Sequence, residues 1–174
     1  ALAAAEHEKL RVTLRSIGDG VVTTDAGGFV TFMNPVAEDM TGWQPADAVG
    51  RAVEEVFVVV DETTGERMRD PVREALRGDR LHYLDDDAVL ISRGGERRAV
   101  RDSAAPVRTP EGELLGAVLV FQDITSARTL QKALAHSAMH DALTGLANRG
   151  AFERALAGAI DEARHEGREH ALCF

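Results

Sequence analysis

The chain has little cysteine: Cys173 is the one thiol in 174 residues. That excludes an intramolecular disulfide and any zinc site built on several cysteines, and it suits a reducing cytoplasm. Positive charge is also short. Lys and Arg number 20 against 29 Asp and Glu, a formal charge of −9. Phosphate contacts need a basic face, so neither nucleic acid nor an anionic membrane surface is an expected partner. No apolar run reaches the roughly 18–20 residues of a membrane span. The Ala-rich start has neither the basic nor the apolar region of a signal peptide. It begins at Ala1 without Met, and the last residues, Ala171–Phe174, are apolar. The expectation is a fragment of a longer protein, whose upstream part is open to membrane attachment.

What is present is a core. Apolar residues make up 44% of the chain, which argues for a globular fold of one ordinary domain plus a remnant. Residues 1–17 favour helix, with Leu10, Leu14 and Ile17 in one stripe. That stripe fits either packing on its own domain or a dimer seam. Val21–Asp25 and Phe29–Asn34 read as two strands around Ala26-Gly27-Gly28. Asn34-Pro35 starts a short helix, with Asn as cap and Pro at the first helical position. Val53, Val56 and Phe57 return to the core, Asp61–Glu66 is a turn, and Asp70-Pro71 repeats the cap signal. Asp85-Asp86-Asp87 reads as a solvated loop, since a hard-cation loop needs further oxygen ligands that are not found. Ala88–Arg93, Glu96–Val107 and Leu114–Ile124 are strands joined by turns at Gly94-Gly95 and Thr109–Gly112. Hairpins imply an antiparallel sheet, and the helices between strands two and three must cover it. The result is an α+β domain of about a hundred residues.

These residues carry a resemblance. Ile17-Gly18-Asp19-Gly20-Val21, Phe32-Met33-Asn34-Pro35-Val36-Ala37, Met40-Thr41-Gly42-Trp43, Gly94-Gly95-Glu96, Asp102–Pro106 and Phe121-Gln122-Asp123-Ile124-Thr125 follow in the order and spacing of a PAS domain. The resemblance implies a five-stranded antiparallel sheet with short helices on one face, flanked by N- and C-terminal signalling helices. It also implies a sensor or dimerisation module and a ligand cavity between helices and sheet. The apolar candidates for that cavity are Phe32, Met40, Trp43, Phe57, Met68, Leu76, Leu90, Ala104, Val118 and Val120. Plain core packing is the simpler account of each. No cofactor is expected. Flavin–cysteine photochemistry is excluded, because residues 18–125 hold no cysteine. Haem needs an axial ligand such as His, and His82 lies past the helix where haem-binding PAS relatives carry theirs. A small carboxylate or other metabolite held by Arg98 or Arg101 stays open.

Beyond the domain, Leu130, Leu134 and Ser137/Ala138 give a narrow stripe suited to a two-helix seam. In PAS proteins that close on Asp-Ile-Thr, residues equivalent to Asp123, Ile124 and Thr125 form the exit. The resemblance pairs Asp123 with a basic side chain and has Thr125 fix the turn. Next, Asp141, Leu143, Thr144, Leu146, Asn148 and Arg149 match the opening motif of a GGDEF domain, the diguanylate cyclase family. There Asn148 corresponds to a guanine contact; a helix cap is its local alternative. The acidic partner of that contact falls at Ala157, a departure that leaves purine binding in doubt. The metal-binding carboxylates and the catalytic loop of that family are absent, so no catalytic residue and no metal ligand is expected here.

The expected organisation is an N-terminal helix at 1–17, a PAS domain at 18–125, a signalling helix at 126–140 and the start of a GGDEF domain at 141–174. The expected function is a cytoplasmic, homodimeric regulatory module. It relays a signal to its own GGDEF domain, with an EAL domain also open, and so tunes cyclic-di-GMP. The alternatives are a ligand-free dimerisation module, a metabolite sensor coupled to another output, and a cyclase in its own right.

Overall fold

The computed structural model describes residues 18–78, 83, 87–141 and 143–171. The expected helix at 1–17, His82 and Asp85-Asp86 lie outside them. The chain divides into two compact units, Ala1–Thr125 and Ser126–Phe174.

The first unit is built on a six-stranded sheet. Strands β1 (Gly20–Asp25) and β2 (Val30–Met33) are followed by helices α1 (Pro35–Thr41), α2 (Pro45–Ala48) and α3 (Val53–Val56). Then come β3 (Val58–Asp61), α4 (Pro71–Arg77), β4 (Ala88–Ile91), β5 (Arg97–Arg108) and β6 (Leu114–Asp123). The order across the sheet is β2-β1-β6-β5-β4-β3, and every neighbouring pair is antiparallel. The expectation of five strands is therefore corrected to six. The extra strand is β3, at the edge, paired with β4 from Val58↔Ile91 to Asp61↔Ala88. Its β-branched run Val58-Val59-Val60 suits a pleated edge.

Local chemistry explains the first turns. Asp25 Oδ1 accepts from the main-chain N–H of Gly27 and of Phe29, closing the β1–β2 turn. Asn34 does more than cap α1. Its Oδ1 accepts from Ala37 N–H and from Val21 N–H, both at 2.9 Å, while its Nδ2 donates to the Asp19 carbonyl at 2.9 Å. A buried amide thus joins β1, the chain before it and α1. Gly42 ends α1 in the left-handed region at φ 70°, a conformation that favours glycine.

Helices cover one face of the sheet. Ala37, Met40, Ala48, Val53, Val56, Val72 and Ala75 pack against Val22, Met33, Val59, Leu90, Val100, Ala104, Ala117, Leu119 and Phe121. The strand residues of that cluster sit two apart along β6 and four apart along β5, with the buried Asp102 between Val100 and Ala104, as pleating requires. Phe121 anchors it, 4.8 Å centroid to centroid from Phe57. Its ring lies over Gly20, where an added Cβ would come within 2.5 Å of it. Only glycine leaves that room.

The second unit continues helix α5 (Thr125–Met139) through a turn into α6 (Arg149–Glu166). Asp141 Oδ1 accepts from the N–H groups of Leu143 and Thr144 and from the Thr144 hydroxyl. Hydrogen bonding holds the Asp141 carboxyl below its ordinary value, the Thr144 hydroxyl first and its N–H next. Asn148 closes the turn: Oδ1 caps α6 through Ala151 N–H, and Nδ2 donates to the Ala138 carbonyl. Neither helix buries a residue. Among the described residues no helix is long and apolar enough to cross a membrane.

Candidate ligand cleft and signalling junction

An open cleft of about 600 Å³ lies beside β3 and α4, within the size range of small-molecule sites. Phe57, Val59 and Met68 supply its apolar floor. Met68 reaches it because its N–H pairs with the Val59 carbonyl at 2.9 Å, so residues 67–69 run alongside β3. Arg67 and Arg69 flank Met68, and Arg73 and Arg77 stand one turn apart on α4; all four line the cleft. Glu54, Asp70 and Glu74 are the carboxyls among them.

These charges are loosely paired. Arg73 approaches Glu54 at 3.6 Å, and Arg77 approaches Glu74 at 3.9 Å, all with well-exposed side chains. Arg67 donates to the Glu54 carbonyl. Arg69 has no ion pair or hydrogen bond among the described residues. Asp70 caps α4 through Val72 N–H at 2.9 Å. Burial is the largest influence on its carboxyl and pushes it above the ordinary value, against the lowering effect of that hydrogen bond. A second cavity of about 220 Å³ lies next door, sharing Glu54, Asp70 and Arg73 and adding Leu76 and Gly28.

The ten candidate cavity residues scatter. Phe57 and Met68 line the large cleft and Leu76 the small one. Met40, Leu90 and Ala104 are core residues. Trp43 is half-buried, with the guanidiniums of Arg93 and Arg51 over its ring at 4.4 and 5.1 Å, a cation–π clamp at the surface. Three placements are corrected. Val118 and Val120 alternate with Ala117, Leu119 and Phe121, which occupy the helix-covered face, so both valines project from the other face. Phe32 pairs with Thr23, out of step with the core residue Val22, and belongs to that other face too.

The arginines considered for a metabolite are also elsewhere. Arg98 pairs with Asp39 at 2.9 Å and Glu96 at 3.1 Å; the Asp39 hydrogen bond leads the influences that raise its pKa. Arg101 is exposed on β5, off the cleft. The cleft's own arginines were missed, although the run Arg67-Met68-Arg69-Asp70-Pro71-Val72-Arg73 is a visible cluster of positive charge.

The junction between sheet and helix is tight. β6 ends at Asp123 and α5 begins at Thr125. The Ile124 N–H donates to the Ala99 carbonyl at 2.9 Å, and the Ala99 N–H donates to Thr125 Oγ1 at 3.0 Å. One residue of β5 is thus gripped through both its N–H and its C=O. Asp123 Oδ1 accepts from Thr125 N–H at 2.8 Å and so starts the helix. The expected partner for Asp123, a basic side chain, is replaced by this main-chain group. In the second unit, Asp141, Thr144 and Asn148 are engaged in the turn described above. Arg149 pairs with Glu153 at 2.8 Å, and Leu143 and Leu146 are exposed. Among the described residues no three His, Cys, Asp or Glu side chains group to hold a metal.

Comparison with known proteins places these features. The family model described as the PAS fold matches residues 14–129. The probable diguanylate cyclase DgcE of Escherichia coli is 38% identical over 174 residues, covering 97% of this chain and 15% of that protein. The cyclic di-GMP phosphodiesterase PdeB of Shewanella oneidensis is 30% identical over 170 residues, covering 97% of this chain and 18% of that protein. The chain therefore spans under a fifth of these relatives, and both matches run well past Thr125. A PAS domain from Colwellia psychrerythraea aligns with a TM-score of 0.54 at 18% identity, covering 70% of this chain and 98% of that one. At that identity it speaks for the fold alone.

Proposed function

Because the chain belongs to the PAS-fold family, we propose that it is the sensory module of a cytoplasmic cyclic-di-GMP signalling protein. It dimerises and relays a signal through α5 to a GGDEF output domain that begins near Asp141. The observation that carries this reading is the grip on Ala99 by Ile124 and Thr125. A shift of β5 changes the first turn of α5 with no slack segment between them. The relatives support the choice of output: both matches cover 97% of this chain, and one is named a probable diguanylate cyclase and the other a cyclic di-GMP phosphodiesterase. Catalysis on this reading belongs to the GGDEF domain, and to an EAL domain where one follows, not to this module. Asn148 is the residue assigned to guanine in that domain; beyond its two turn contacts its amide keeps one N–H and one lone pair.

The seam of the dimer is the exposed stripe of α5. Leu130 and Leu134 are 61% and 62% exposed, costly for leucines one turn apart unless a partner covers them. The test is Thr125→Val in the full-length protein. It removes the acceptor for Ala99 N–H while keeping side-chain shape. Cyclic-di-GMP turnover should lose its response to the module while the PAS unit melts within a few degrees of wild type. Unchanged regulation would defeat the relay reading.

A further inference from the structure

The cleft beside β3 and α4 carries more than an unspecified ligand site. Two walls bring guanidiniums to one opening: Arg67 and Arg69 from the segment along β3, Arg73 and Arg77 from α4. The whole chain is strongly acidic, so this clustering of four arginines is against its average. The available carboxyls do not neutralise it firmly. The two ion pairs are 3.6 and 3.9 Å long and exposed; contacts of that kind contribute about 0–1 kcal/mol and are readily exchanged. Arg69 has no partner among the described residues, and the one ion pair of the Arg73 guanidinium there is the long contact to Glu54, with the Asp70 carboxyl also within its electrostatic reach. Beneath them the floor of Phe57, Val59 and Met68 is apolar.

From this arrangement we propose that the cleft binds a small organic anion, its carboxylate or phosphate head held by Arg69 and Arg73 and its apolar body lying on Phe57, Val59 and Met68. Guanidinium forks match both head groups and remain charged at any working pH. The inference rests on the sensory reading of the module and names the class of signal. A cationic ligand is disfavoured by the four arginines, and a neutral one forfeits their charge-assisted hydrogen bonds.

Calorimetric titration of the whole chain tests it with hexanoate, hexyl phosphate, hexylamine and hexanol. Hexanoate, hexyl phosphate or both should bind at one site per chain, and which of them binds identifies the head group. Hexylamine and hexanol should bind at least about tenfold more weakly, the loss expected for a missing charge-assisted hydrogen bond. Arg69→Gln and Arg73→Gln should each weaken the anion by about tenfold or more on the same grounds. Arg108→Gln, outside the cleft, should change nothing. Both arginine sites are on the surface, so the variants should fold as wild type. No binding by either anion at millimolar concentration, equal binding of hexanol, or indifference to both arginine substitutions would overturn the proposal. A chain that dimerises and relays yet binds neither anion defeats this inference and leaves the module's function standing.

Discussion

Asn34→Ala is the most informative single change to the fold. The side chain is fully buried and serves three main-chain groups, Val21 N–H, Ala37 N–H and the Asp19 carbonyl. Truncation leaves two donors and one acceptor without it. Each buried orphan costs about 1–3 kcal/mol, and the lost helix cap is contained in the Ala37 term. Partial relaxation lowers the sum, so the expected loss is about 3–5 kcal/mol. Against a total of about 5–15 kcal/mol for a domain, that is a large share. Urea unfolding reads it cleanly, because Trp43 is the one tryptophan and reports on the first unit alone. With a slope of about 1–2 kcal/mol per molar urea, the midpoint should fall by roughly 1.5–5 M or the variant should be unfolded outright. Asn34→Ser keeps a cap oxygen for α1 but is too short to serve Asp19 as well. It should recover about 1 kcal/mol of the loss. A loss under about 1 kcal/mol for Asn34→Ala would refute the claim that this amide ties the unit together.

Three further outcomes follow from the same physics. Thr24 is buried with no hydrogen-bond partner for its hydroxyl among the described residues, so Thr24→Val should raise stability by about 1 kcal/mol in the same urea assay. Burial raises the Asp70 carboxyl: a folded value above the unfolded one means its contribution is intact below about pH 4 and is lost as pH rises through the folded value. Asp70→Asn keeps a cap oxygen for Val72 and should remove that decline, which thermal melts across acid to neutral pH would show. Helix α6 buries no residue, so amides of Ala151–Glu166 should exchange faster than those of β1, β5 and β6; equal protection by mass spectrometry would contradict this.

Much of the fold was legible because its signals are local. Asp25 before two glycines, Asn34-Pro35 and Asp70-Pro71 each announce their own turn or cap, and the structure uses each side chain in that way. Strand β3 was not legible. Val53 to Val60 is nearly one apolar run with a Glu pair inside, and a short run of that kind does not reveal where helix gives way to strand. The facing of β6 was hidden for a related reason. Ala117-Val118-Leu119-Val120-Phe121 is apolar at every position, so alternation gives no clue to which residues meet the helices. The cleft escaped notice because its arginines belong to a surface residue type, usually read as solvated. Their meaning comes from the pairing of residues 67–69 with β3, which sets them opposite α4.

The central claim is a dimeric relay built on α5, and native mass spectrometry of the purified chain tests it most directly. The wild-type chain should fly as a dimer, and a chain carrying Leu130→Glu and Leu134→Glu as a monomer with its PAS unit still folded. A wild-type monomer at micromolar concentration would contradict the account.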